Sequence, residues 1–474
     1  MPEGTAGRVQ PRTVKGFRDI LPHQLVARRR MIGTIRNAFE RYGFVPLDTP
    51  AVEYTEALVG LGEEGSKNLF RMKTPEGEDV ALRYDLTVPL ARVVSQYPNL
   101  PRPLRRYQVA PVWRADKPDP GRFREFIQFD IDSVGSPSVL ADAEILMAID
   151  EAFRALGLRS FRIRYSSRKV LDSMLRWSGI PGAFGARTLR ALDKLDKQGR
   201  KSVLLELGPG RVDASGDKIP GLGLPAESIN KVGRFLDLPG GRGTLAALEA
   251  LFAGVDGAKE GIDELREIDR YLTAAGIPPE RASVDLSIAR GLDYYTGPVF
   301  EAILTDLPEF GAVFGGGRYD GLVERFTGQK VPATGASIGV DRLLAALEKL
   351  GLVESGWSTA RVLTTVMDSS HVIEYLAITR EIREAGIPAE LYMGEAAGLK
   401  KQFAYADKVG IPLVIIAGSN EFDAGTVSIK DLREGKQREG EAADREAWVK
   451  QRFGQRTVPR AEMIATIRAL LENP

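Results

Sequence analysis

The chain has 474 residues, 43% hydrophobic and 27% charged, enough apolar material for two or three cored domains. Its 65 basic and 64 acidic residues leave a net charge of +1, so nucleic-acid binding, if any, must rest on local patches rather than a whole-chain field. The absence of cysteine excludes disulfides, thiolate metal sites and a cysteine nucleophile, and two histidines far apart in sequence, His23 and His371, argue against a zinc site or a Ser-His-Asp triad. No stretch approaches the roughly 18 uninterrupted apolar residues of a membrane span, and MPEGTAGRVQPRTVKG has no apolar core of a secretory signal. The expectation is a cytoplasmic protein with no membrane partner.

Apolar residues at Leu25, Val26, Ile32, Ile35 and Phe39 recur at helical spacing and stop at Gly43, predicting a helix over about Gln24 to Tyr42 with a glycine C-cap. FVPLDTPAVEY follows as extended chain punctuated by Pro46 and Pro50. Farther on, RRYQVAPVWRAD and FREFIQFDIDSVG read as antiparallel strands joined by a long hairpin loop, KPDPGR. Residues 168–262 are polar and helical around a glycine-rich interruption, as in a small insertion. RASVDLSIARGLDYYTGPVFEAIL reads as strand, GGGRYDG as a loop, and ATGASIGVDRLLAALEKLG as a strand passing through glycine into a helix. After a linker at 351–359, strands and helices alternate from RVLTTVMD to TVSIKDL, which predicts βαβ units and a largely parallel sheet over 360–474.

Between Arg102 and Glu125 lie seven basic residues, Arg102, Arg105, Arg106, Arg114, Lys117, Arg122 and Arg124, against Asp116, Asp119 and Glu125. On a strand–loop–strand they would offer guanidinium forks to a polyphosphate, although a solvated hairpin tip has the same composition. Arg114 stands out because it follows Val112 and Trp113 in an apolar strand, where an unpaired charge is costly. Phe126, Gln128, Asp130 and Asp132 fall on one face by period two, with Ile127, Phe129 and Ile131 on the other. That pattern fits a half-buried strand lining a pocket, and equally an amphipathic surface strand. Asp85 and Thr87 share a face as well, unless Asp85 simply pairs with Arg83. Arg290, Asp293, Tyr294 and Tyr295 put aromatic rings beside an arginine, which suits an imidazole ligand or plain strand packing. GGGRYDG lacks the ending of a P-loop, so its glycines point to close backbone approach. Arg342, in the first helical turn after Gly339, is either a ligand residue or a surface arginine.

In order along the chain these segments resemble the class II aminoacyl-tRNA synthetases, and among them the histidine-specific family. KGFRDILP is similar to that family's opening signature, and residues 24–50 to motif 1, the dimer-forming element. VWRAD…GRFREFIQFD resembles motif 2 and GASIGVDRLLAAL motif 3. RGLDYYTG and GGGRYDG resemble the histidine-specific motifs, and GIPLVIIAGSNEFDAGTVSIKDL the anticodon-binding domain. The resemblance implies an α+β fold: an antiparallel catalytic sheet flanked by helices over 1–167 and 263–350, a helical insertion over 168–262, and a C-terminal α/β anticodon-binding domain over 360–474. It implies a histidine–tRNA ligase that uses ATP to form histidyl-adenylate and then esterifies tRNA(His), with Mg2+ accompanying the ATP and no metal held by His or Cys. A homodimer through motif 1 is part of that expectation.

By the same resemblance, Arg114, Arg290 and Arg342 are the catalytic residues, and ATP is bound by these three with Asp116, Arg122 and Phe126. Asp85, Thr87 and Gln128 would receive the α-amino group of histidine. Asp132, Tyr294 and Tyr295 would recognise its imidazole, with Tyr319 lining the same pocket. Asp116 departs from the glutamate frequent in motif 2, and Asp85 and Asp132 stand where many bacterial relatives carry glutamate. In this respect the chain resembles the eukaryote-like branch of the family. Two rivals are a non-catalytic regulatory paralogue and a synthetase-like RNA-binding module. The C-terminal α/β segment weighs against the first, and Arg114, Arg290 and Arg342 against the second.

Overall fold

The computed structural model describes residues 9–59, 68–117, 123–212, 216–241, 243–289, 294–353, 356–394, 398–434 and 454–472. Two compact units emerge: Met1–Asp19 with Met31–Leu352, and Ile20–Arg30 with Val353–Pro474.

In the first unit the strands are β1 (Val45–Pro46), β2 (Val52–Tyr54), β3 (Arg71–Lys73), β4 (Asp79–Leu82), β5 (Leu104–Trp113), β6 (Glu125–Val134), β7 (Phe161–Ser167), β8 (Gly210–Val212), β9 (Lys218–Pro220), β10 (Ala282–Val284), β11 (Pro298–Leu304), β12 (Ala312–Arg318) and β13 (Ala333–Gly339). Eight of them form one sheet in the order β1-β5-β6-β13-β12-β11-β7-β10. Its interior pairings are antiparallel, and parallel pairs occur only at the rims, β1 with β5 and β10 with β7. This is the α+β arrangement expected from the sequence.

One face of the sheet is covered by helices. Phe39, from the helix Pro22–Arg41, meets Phe129 of β6 edge-on at 5.1 Å, and Phe153, from the helix Leu140–Ala155, meets Phe161 of β7 at 5.2 Å. The odd-numbered residues of β6 therefore fill the core, and its even-numbered side chains turn to the opposite face. From Gln128 onward β6 is buried on both faces, not half-buried as the alternation alone suggests. Polar alternation marks a cavity wall here rather than a wet surface.

The segment 168–262 forms helices around the hairpin β8–β9, where Phe252 stacks on Phe235 and meets Trp177 edge-on, both at 5.9 Å. Its last helix, Ala258–Ala274, continues past residue 262 and packs on β7.

Two local expectations differ from the structure. The first three glycines of GGGRYDG belong to strand β12 rather than a loop, and Tyr294 and Tyr295 precede β11 outside any strand. The reason for the glycines is spacing between backbones: a Cβ on Gly316 would sit 2.2 Å from the carbonyl oxygen of Gly335, and one on Gly317 2.7 Å from that of Pro298.

In the second unit, β14 (Val362–Thr364), β15 (Ala389–Leu391), β16 (Leu413–Ile416), β17 (Thr426–Asp431) and β18 (Gln455–Pro459) form a sheet ordered β15-β14-β16-β17-β18. The helices Val372–Glu384, Leu399–Val409 and Met463–Glu472 accompany it, and Tyr375, Ile378, Ile415, Ile429 and Ile467 share its core. Only β15-β14-β16 are parallel; β16, β17 and β18 run antiparallel. The sheet is thus mixed rather than largely parallel. The connection from β16 to β17 is too short for a crossover, so the chain must turn back.

Candidate active site

Three neighbouring strands build the floor of a cavity in the first unit. Cross-strand register places Arg106 of β5 opposite Asp132 of β6 and Gln108 opposite Asp130, while Gly335, Ser337 and Gly339 of β13 face Asp132, Asp130 and Gln128. Small residues on β12 and β13 leave the space that the longer side chains of β6 point into. The cavity measures about 300 Å³ and is lined by Asn68, Tyr84, Asp85, Thr87, Arg114, Asp116, Gln128, Asp132, Tyr294, Tyr295, Gly315, Tyr319, Gly335, Ala336 and Ser337. That volume is at the low end of the roughly 300–1,000 Å³ of small-molecule sites.

All seven residues read from the sequence as a histidine pocket, Asp85, Thr87, Gln128, Asp132, Tyr294, Tyr295 and Tyr319, line this one space, as do Arg114 and Asp116. Two others do not. Phe126 packs beside Leu86, Ala110 and Val112, with its ring 5.1 Å from the Arg114 guanidinium. Arg342, exposed in the first turn of the helix Val340–Lys349, donates to the carbonyl of Ala312 at 2.8 Å. Arg290 and Arg122 lie outside the described residues.

The basic cluster of motif 2 separates in space. Arg105 pairs with Glu144 at 2.6 Å, Arg124 donates to the backbone oxygen of Asp116, and Arg106 is fully buried. Among the described residues only Arg114 of the seven lines the cavity, while Arg105, Arg106 and Arg124 are engaged elsewhere. Arg114 is oriented by its Nε, which donates to the carbonyl of Tyr84 at 3.2 Å. Arg83 does not pair with Asp85; it donates to Pro111 O at 3.0 Å and to Thr49 and Pro50. Asp85 is thereby left to the cavity, where its Oδ1 accepts from Val88 N at 3.1 Å at the start of the helix Thr87–Gln96.

The cavity is rich in acceptors. Gln128 Nε2 donates to Ser337 Oγ at 2.8 Å, while its Oε1 is buried and has no partner among the described residues. Burial raises the Asp85 carboxyl to about 6, with Val88 N, Arg114 and Arg106 acting the other way. Burial also pushes Asp130 up to about 7 and raises Asp132, against the opposing pull of Arg106. Tyr319 donates its hydroxyl to Asp132 Oδ1, and Tyr294 lies against Tyr295 with ring centroids 4.5 Å apart. Burial holds Tyr294 and Tyr319 well above the ordinary phenol range, so both remain hydrogen-bond donors. Such a wall suits a ligand carrying an ammonium at one end and a flat polar ring at the other, with Arg114 available to an anion.

Sequence reasoning did not single out Tyr84, Asn68 or Ser337, and counted Arg106 only as one of a cationic run, whereas it pairs with the buried Asp132. Ser337 was findable, since β13 alternates Gly335, Ser337 and Gly339 on one face. The buried Arg318 of GGGRYDG also gains a role. It donates to Asp142 and to the carbonyls of Ser136 and Ser138, and so anchors the turn that carries Tyr319.

Known proteins similar to this chain share its full extent. The histidyl-tRNA synthetase profile matches residues 16–343 and the anticodon-binding-domain profile residues 360–452. A histidine–tRNA ligase of Paracoccus denitrificans is 46% identical, over 98% of this chain and 98% of its own length. One of Rhizobium rhizogenes is 43% identical, over 98% of this chain and 96% of its own. The crystal structure of histidyl-tRNA synthetase from Nostoc sp. PCC 7120 superposes with a TM-score of 0.82 at 31% identity, covering 98% of this chain and 100% of that one.

Proposed function

The chain belongs to the histidyl-tRNA synthetase family, and from that premise we propose how its residues carry out ATP-dependent ligation of histidine to tRNA(His). The α-ammonium of histidine sits among Asp85, Thr87 and the unpartnered Oε1 of Gln128. The imidazole lies against Tyr294 and Tyr295, with Asp132 as acceptor and Tyr319 beside it. A competitor without these hydrogen-bonding groups leaves buried partners unpaired, which is the strongest form of discrimination and needs no editing step. The observation that carries this reading is the convergence of those seven side chains on one cavity with an orphaned buried acceptor in its wall.

In the first step a carboxylate oxygen of histidine attacks the α-phosphorus of ATP, forming the mixed anhydride while the bond to the bridging oxygen breaks and pyrophosphate leaves. Arg114, held at the cavity wall, offsets charge on the α-phosphate as it builds in the transition state. Arg290 and Arg342 are proposed to act on the same nucleotide, with Arg122, Asp116 and Phe126 on its adenine and phosphate side. In the second step the terminal ribose hydroxyl of the tRNA attacks the histidyl carbonyl and AMP leaves. No protein nucleophile is required, in keeping with a chain that lacks cysteine.

Mg2+ is proposed to arrive on the ATP phosphates and to supply further charge neutralisation there. We further propose a homodimer through motif 1, supported by exposed Val45 on β1 within it and by exposed Val52 and Tyr54 on β2 just beyond it. Among the described residues no helix is long and apolar enough to cross a membrane, and the cytoplasm is the proposed site of action. Residues 168–262 are proposed as the insertion and 360–474 as the anticodon-binding domain. The test is ATP-dependent esterification of labelled histidine onto a tRNA(His) transcript. Charging by the wild type and its loss in Arg114→Ala support the reading; no charging by the wild type sinks it.

A further inference from the structure

Beneath the cavity floor lies a charge arrangement that the ligand contacts alone do not require. Arg106 is fully buried, with Nη2 2.8 Å from Asp132 Oδ2 and 3.0 Å from the carbonyl of Leu86, and Nη1 3.3 Å from Gln108 Oε1. Gln108 is itself fixed, since its Nε2 donates to Asp48 Oδ1 and Thr49 Oγ1, both at 3.0 Å. Asp130, one side-chain step along β6 from Asp132, is 2% exposed and its Oδ1 has no hydrogen-bond partner among the described residues. Two buried carboxyls thus share one guanidinium, and only Asp132 lines the cavity.

We propose that Arg106 is a positioning residue for histidine recognition, fixing Asp132 as the anionic acceptor that reads the imidazole while holding the competing carboxyl of Asp130 in check. This deepens the histidine reading above and rests on it. Two like carboxyls in a dry site do not both ionise, so the one with the better counter-charge keeps the anion. Arg106 and the Tyr319 hydroxyl both serve Asp132, while Asp130 has only a hydrogen bond from Ser337 and the more distant field of Arg106. The other charged group facing the pair is Asp85, from the loop before the helix Thr87–Gln96, whose charge opposes ionisation of Asp130 and is itself favoured by Arg114. On the β13 side Ser337 and Gly335 bring no charge. The chain of bonds from Asp48 and Thr49 through Gln108 to Arg106 makes the guanidinium a fixed part of the floor.

The test is the pH dependence of the histidine KM in pyrophosphate exchange, beside the ATP KM, for wild type, Arg106→Met, and Arg106→Met with Asp130→Asn. Free histidine titrates identically in all three, so only differences between the proteins report the pocket. In Arg106→Met the two carboxyls share a proton, the histidine KM rises about tenfold or more, and its acid limb moves to higher pH. Adding Asp130→Asn removes the competitor and returns both toward wild type, while the ATP KM stays within about twofold throughout. A double variant no better than Arg106→Met, or an ATP KM that rises as much as that for histidine, overturns the proposal. If Arg106→Met does not fold, Arg106→Lys decides. Its retained charge should leave the acid limb in place while the lost fork raises the histidine KM severalfold, and a displaced limb or an unmoved KM refutes it. Failure of the wild type to exchange with histidine would instead sink the underlying reading.

Discussion

Gly335→Ala is the most local perturbation of the pocket that the structure allows. Gly335 faces Asp132 across β13 and β6, and a Cβ there would sit 1.9 Å from Asp132 Oδ1 and 2.7 Å from the carbonyl oxygen of Ile131. An ordinary close C···O approach is roughly 3.3 Å, so the carboxylate must retreat by about 1.4 Å. It has little room, because Arg106 holds its other oxygen at 2.8 Å and Tyr319 donates to the same Oδ1. A displacement on the order of 1 Å in a positioning group costs about 100-fold, equivalent to roughly 2.7 kcal/mol in kcat/KM for histidine. Overpacking should also lower stability by about 1–3 kcal/mol. The assay is pyrophosphate exchange with histidine and ATP varied separately, beside thermal denaturation. Gly339→Ala is the control on the same strand, because its added Cβ meets nothing closer than Arg342 Cβ at 3.7 Å. A Gly335→Ala protein with wild-type kcat/KM for histidine, or one no worse than Gly339→Ala, would refute the reasoning.

Other expectations are independent of that one. Tyr319→Phe removes a donor to a buried carboxylate and should lower kcat/KM for histidine by about 10- to 100-fold, since a hydrogen bond to a charged group is worth about 1.5–3 kcal/mol; an unchanged value counts against the pocket. Burial raises the Asp85 carboxyl from its ordinary 3.8 to about 6, so between these the folded protein keeps a proton the unfolded chain has released. Ligand-free stability should therefore fall as pH rises through about 4 to 6, by up to about 3 kcal/mol from this group. Thermal denaturation should show Asp85→Asn gaining on the wild type across that window, and a gap that closes instead would contradict the assignment. Arg318→Met leaves Asp142 buried without its partner and should cost about 3–5 kcal/mol, read by denaturant unfolding of the first unit; a loss below about 1 kcal/mol would show that the anchor is dispensable.

The pocket was legible in the sequence wherever strand alternation and residue chemistry coincide. Gln128 and Asp132 share a face of one strand by period two, and that period survives any uncertainty in strand ends. The hairpin of β5 and β6 was legible for the same reason. Arg106 was not, because composition groups it with Arg105 and Arg114, and only the register with Asp132 shows that it points to a buried anion. The glycines of β12 were misplaced in a loop because a local reading takes glycine as a breaker. Their cause is nonlocal, the approach of β11 and β13 on either side. The reversal of β17 and β18 was hidden too, since alternating strands and helices suggest parallel pairing until the length of each connection is weighed.

The central claim, that this cavity selects histidine for activation by ATP, is tested most directly by amino-acid-dependent exchange of labelled pyrophosphate into ATP with the purified wild-type chain. Exchange with histidine and none above background with the other amino acids is the expected result. No exchange with histidine, or equal exchange with several amino acids, would contradict it.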